Sequence, residues 1–190
     1  MRKIRTTAPI TDKTAIRKLM MVPGSTGLFI HFGLFTALRI SEILSLKWSD
    51  VVQDGKVKPH TRIWVSKQKK YRDIAFSEPL QKSLVDLFFR TNPNMTDYIF
   101  TSESNRSRGN VPITKEAMTA RIKPILESVG AQHPTSHTLR KTMARQFYER
   151  NGIAATMQLL GHSKEEMTLI YVGISSEEMR GYLKRFSYED

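Results

Sequence analysis

Two short motifs in the C-terminal half carry groups suited to phosphate chemistry. His137 and Arg140 are three residues apart and share one face of a helix, on a stripe that continues through Ala144 to Phe147. Thr135 or Ser136 can cap the start of that helix, where unpaired backbone N–H groups and the helix dipole favour an anion. A phosphate suits that end, although the two side chains taken singly read as a surface pair. His162 follows Leu159-Leu160-Gly161, and Tyr171 comes nine residues later, after Met167 and Ile170 on a short helix. One straight helix over residues 162–171 would separate the two side chains by about 14 Å, too far to share a phosphate. If they act together, Gly161-His162-Ser163 must be a bend. Taken singly, the histidine reads as a cap or packed side chain and the tyrosine as a core-edge residue.

In the N-terminal half, Leu28, Phe32, Phe35, Arg39 and Ile43 step by four, three, four and four, which predicts a helix over residues 26–46 with an arginine inside its apolar stripe. A guanidinium keeps its charge, so a partly buried Arg39 must meet an anion, internal or brought by a ligand. A shorter helix precedes it, capped by Thr11 or Asp12 and stopped by Pro23-Gly24-Ser25. Val51-Val52, the turn Gln53-Asp54-Gly55, and the runs 61–66 and 73–76 predict a small antiparallel sheet near residues 51–76. Its connecting stretch, Lys67-Gln68-Lys69-Lys70-Tyr71-Arg72, is either a hairpin tip pressed toward phosphates or a solvated turn. Helical periodicity returns with Leu80, Leu84, Leu87 and Phe88 and ends before Asn92-Pro93-Asn94. Residues 98–100 read as briefly extended, and 101–112 as a loop in which Arg106 and Arg108 touch DNA or are solvated. Helices follow over 114–129, 138–150 and 153–160, with Gly130, Gly152 and Gly161 as stop signals. The fold class is α+β, mainly α-helical.

Composition narrows the partners. Of 190 residues, 39% are hydrophobic and 25% charged, which fits one folded domain. A net charge of +12 points to a polyanion, nucleic acid before membrane. The longest apolar run, 28–38, is broken by His31 and Gly33 and is too short to span a bilayer. The absence of cysteine removes disulfides, thiolate metal sites and a cysteine nucleophile, and fits a reducing cytoplasm. No clustered carboxylates or ligand-spaced histidine pairs support a metal-dependent nuclease.

Ala37-Leu38-Arg39-Ile40-Ser41-Glu42-Ile43-Leu44, a basic hairpin, His137-Thr138-Leu139-Arg140, Leu159-Leu160-Gly161-His162-Ser163 and Tyr171, in that order, resemble the catalytic domain of tyrosine recombinases, the phage-integrase family. The resemblance runs from about residue 11 to 172 and rests on order, spacing and flanking apolar residues together. It implies DNA strand exchange through a covalent 3′-phosphotyrosyl intermediate, without metal, nucleotide or other cofactor. Tyr171 would be the nucleophile, Arg39 and Arg140 the clamp on the non-bridging oxygens, His137 the proton acceptor and His162 a hydrogen-bond partner of the phosphate. Lys67 falls on the position of the general acid, with Lys69 and Lys70 as substitutes. Lys69, Lys70, Arg72, Arg106, Arg108 and Lys141 are the further DNA-contact candidates.

The implied partner is double-stranded DNA, bound by a homo-tetramer on paired sites, with a monomer in free solution and an accessory DNA-binding protein as further expectations. Ala37 stands where the family usually has glycine, and Lys141 where histidine is common. Only about ten residues precede the first helix, so we expect a single catalytic domain over 1–190, with a basic tail over 1–10 and no separate N-terminal clamp, similar in size to the fimbrial inversion recombinases. Met179, Tyr182, Leu183 and Phe186 form a stripe on a last helix over 175–190, packed in its own subunit or exchanged with a neighbour. Two other functions compatible with the fold are a non-catalytic DNA-binding regulator and a type IB topoisomerase.

Overall fold

The structure, a computed structural model, describes residues 7–65, 69–102, 110–174, 178, 180 and 184. Lys67, Arg106, Arg108 and the stripe Met179, Tyr182, Leu183 and Phe186 lie outside the described residues. The elements run α1 (Lys13–Met20), α2 (Gly24–Thr36), α3 (Ile40–Leu44), α4 (Trp48–Val51), β1 (Val52–Gln53), β2 (Lys56–Val57), β3 (His60–Val65), β4 (Lys70–Ala75), α5 (Glu78–Thr91), α6 (Lys115–Ser128), α7 (His137–Leu160) and α8 (Glu165–Val172). Among the described residues no helix is long and apolar enough to cross a membrane.

The apolar run inside 28–38 becomes α2, which is buried on all sides and packs against α1, α5, α6 and α7. Phe29, Phe32, Phe76 and Phe100 meet edge to face around it. His31 is accommodated in this helix by two hydrogen bonds, from Nε2 to the Met20 carbonyl at 3.0 Å and between Nδ1 and the Ser83 hydroxyl at 2.6 Å. Gly33 lets α7 approach: a Cβ there would sit 2.7 Å from the Leu139 Cβ.

The helix expected over 26–46 is broken. Ala37 turns the chain through left-handed backbone, φ 51, ending α2, and Arg39 becomes the N-cap of α3 instead of a residue on a continuous stripe. The apolar spacing across 35–39 therefore marks two buried segments, not one helix. The conformation at Ala37 is one that costs an alanine about 1–2 kcal/mol and a glycine almost nothing, which gives a physical reason for glycine at this point in the family.

The β region is two separate antiparallel ribbons, and Val51 ends α4 instead of starting a strand. Asp54 and Gly55, at φ 50 and 71, form the tight turn between β1 and β2. In the second ribbon Ile63 pairs with Arg72, Thr61 with Ile74 and Val65 with Lys70, and this face carries the buried side chains of Thr61, Ile63, Val65 and Ile74. The opposite face holds Trp64 and Tyr71, their rings 5.1 Å apart and 51% and 58% exposed, with Arg62 5.2 Å over the Tyr71 ring.

Helix boundaries elsewhere follow their caps. Asp12 accepts hydrogen bonds from the Thr14 and Ala15 amides, and Thr114 from the Ala117 amide. At α7 the cap is Thr135, whose hydroxyl accepts from the His137 amide at 3.2 Å, while Ser136 makes no side-chain cap bond. Gly152, at φ 75, kinks α7 between its two straight parts. A second, smaller apolar cluster of Ala37, Ala144, Leu160 and Val172 joins the ends of α2, α7 and α8, with Tyr171 packed against it.

Candidate active site

The C-terminal ends of α2 and α7 meet beside Tyr171 on α8. Gly161, left-handed at φ 69, closes α7 and supplies the bend, so that His162 and Tyr171 meet with ring centroids 5.5 Å apart, edge to face. The Nδ1 of His162 shares a hydrogen bond of 3.0 Å with the buried Thr168 hydroxyl, one turn before the tyrosine on α8. Arg140 lies with its guanidinium carbon 6.0 Å from the Tyr171 ring centroid, and the Lys141 ammonium lies 5.4 Å from it. The Tyr171 hydroxyl is buried and has no hydrogen-bond partner of ordinary geometry among the described residues. Burial holds its pKa above the ordinary 10, partly offset by the positive charges of Arg140 and Arg39.

The arginines are held by backbone and by one carboxylate. Arg140, 3% exposed, donates to the carbonyls of Ala37 and Leu160. Arg72 donates to the carbonyls of Thr36 at 3.1 Å and Leu159 at 3.0 Å. These are last-turn carbonyls without helical partners, at the negative ends of two helix dipoles. Both guanidiniums are pushed below their ordinary range, by burial first and then by neighbouring cations, Arg72 to about 10. Arg39 meets an internal anion: Glu42, 8% exposed, accepts from the Arg39 amide at 2.7 Å and from its Nη1 at 2.9 Å. Glu42 is the one carboxylate acting on Arg72 and Arg140 among the described residues, so three guanidiniums face one negative charge. That surplus suits an anion with two charged oxygens.

Of the residues expected to act together, Arg39, Arg140, His162 and Tyr171 form one group. His137 is the exposed first residue of α7, one turn ahead of Arg140 and Lys141. Lys69 and Lys70 are exposed at the end of the β3–β4 ribbon where the two strands are connected. Of the DNA-contact candidates, Arg72 donates to the two helix ends and Lys141 to the Thr7 carbonyl at 2.7 Å, where burial lowers the pKa of its ammonium. Glu42 and Thr168 were not singled out from sequence. Glu42 has a signal, three residues beyond a helix start, the spacing at which a carboxylate reaches back to the N-cap amide. Among the described residues no group of three His, Asp or Glu side chains comes together as a metal site.

The sequence model of the Phage integrase family matches residues 5–178. The chain belongs to the phage integrase family. Within it, the chain is 33% identical over 160 residues to the probable integrase/recombinase YoeC of Bacillus subtilis, covering 84% of this chain and 82% of that protein. It is 27% identical to tyrosine recombinase XerD of Rickettsia bellii, over 80% of this chain and 52% of the relative, and so spans about half of that longer protein. The crystal structure of XerA recombinase superposes with a TM-score of 0.73 at 25% identity, over 95% of this chain and 67% of the other.

Proposed function

We propose that this chain cuts and rejoins DNA as a site-specific tyrosine recombinase, with Tyr171 forming a covalent 3′-phosphotyrosyl bond. The observation that carries this is the buried Tyr171 hydroxyl, set beside guanidiniums whose charge exceeds that of their one carboxylate. In the step, the phenolic oxygen forms a bond to phosphorus, its proton leaves toward His137, and the bond to the 5′-oxygen breaks. As the five-coordinate transition state forms, negative charge gathers on the non-bridging oxygens, and Arg39 and Arg140 stabilise it more than the ground-state diester. His162, held by Thr168 against the tyrosine, donates to the same phosphate. Lys67 protonates the departing 5′-oxygen. The net charge of +12 supplies the affinity for duplex DNA, and a tetramer on two sites is the working assembly.

The test is a nicked suicide substrate carrying the native DNA site. The wild type should accumulate a covalent adduct, and Tyr171→Phe should bind the duplex with equal affinity and form none. An adduct on the phenylalanine variant refutes the nucleophile. A wild type that binds without any adduct is a regulator, and relaxation of plasmid lacking a site marks a topoisomerase.

A further inference from the structure

Arg72 differs from the other cations of its ribbon. It sits opposite Ile63 on the inward face of β4, and its fork spans two helix ends, Thr36 on α2 and Leu159 on α7. Arg140 repeats the arrangement one residue further along each chain, taking Ala37 and Leu160. Two like-charged guanidiniums thus bracket the same pair of ends through consecutive carbonyls. The segments so gripped lead directly to the phosphate-facing groups: Arg39 is three residues beyond Thr36, and His162 three beyond Leu159. Arg140 stands on α7 itself, so its own two bonds fix its head only if the two ends keep their spacing.

We propose that Arg72 is a positioning residue for strand cleavage: it ties β4 to the ends of α2 and α7 and so sets the distance between Arg39, Arg140 and His162. It rests on the recombinase function proposed above. Arg72 acts through these groups, with Nη1 and Nη2 each donating to a carbonyl at a different helix end. A lysine keeps the charge but offers one ammonium that does not fork across two helix ends.

Arg72→Lys and Arg72→Gln are compared with the wild type in single-turnover adduct formation and in DNA binding at several salt concentrations, with thermal unfolding as the check on folding. Both variants should cleave about 100-fold more slowly, the scale of an ångström-level misplacement of catalytic groups. Their DNA affinity and salt slope should match the wild type. A direct phosphate contact would instead lower the salt slope by about one and let lysine restore cleavage, and either result overturns the proposal.

A methylphosphonate at the scissile position carries no charge for the arginines to neutralise, so there the Arg72 penalty should shrink to within about threefold. Equal losses on both substrates would mean general destabilisation and reject the positioning role. A wild type without adduct on either substrate defeats the recombinase assignment alone. The guanidinium NMR signal of Arg140 then still decides: restricted in the wild type and mobile in both variants if Arg72 holds the bracket, unchanged if it does not.

Discussion

At Tyr171 the resting state and the task pull in opposite directions. Burial keeps the phenol protonated, while Arg140 and Arg39 favour the anion that attack requires. Losing that proton is therefore part of the step, and the rate of adduct formation should rise from about pH 6 to 9, as proton removal becomes easier. Arg72, lowered to about 10 by burial and by the charges of Arg140 and Arg39, stays charged over that interval, so the bracket is constant while the rate rises. A single-turnover rate that stays flat between about pH 6 and 9 would show that proton removal from Tyr171 is not part of the rate-limiting step. The residues of this site were unequally legible. Arg140 sits one turn from His137 on a helix face, and the spacing of His162 and Tyr171 requires a bend at Gly161 if the two act together. Arg72 was hidden in a basic run, because composition says nothing of which strand face a side chain takes. Ile74, two residues on and buried, is the period-two signal that places Arg72 inward.

Between elements, the tightest constraint on the site is the contact of α2 with α7 at Gly33. Gly33→Ala puts a methyl 2.7 Å from the Leu139 Cβ, and Leu139 adjoins Arg140. The gain in helix propensity is outweighed by overpacking, for a net loss of about 1–2 kcal/mol in denaturant unfolding together with slower cleavage. Unchanged stability would show that the two helices separate freely. A second tie runs from α7 to the chain beyond the nucleophile: Arg145, 6% exposed, donates to the Val172 carbonyl at 3.4 Å and is paired with Glu149 and Glu178. α1, α5 and α6 were readable from caps and stop signals, since Asp12, Thr114 and the Asn92-Pro93 step act locally. The break at Ala37 was not, because alanine gives no warning of a left-handed turn that tertiary contacts impose.

The molecule as a whole keeps its chemistry apart from its main core. α2, α5 and α6 share the large apolar cluster, whereas α8 rests on the small one beside Ala37 and Ala144. Local opening should therefore release α8 before the centre of the fold. Amide exchange measured by mass spectrometry or NMR should give Glu165–Val172 protection at least ~10-fold lower than Gly24–Thr36, and equal protection would place both in one cooperative unit. The ribbon supplies a means of watching the opposite side of the site. The chain has two tryptophans, Trp48 sealed against Phe88 at 2% exposure and Trp64 open to solvent beside Tyr71. Intrinsic emission thus has one silent source and one responsive source, and titration with duplex should shift only the latter. Trp64→Phe should abolish the change, leaving the native chromophore as a label-free reporter of the ribbon's encounter with DNA.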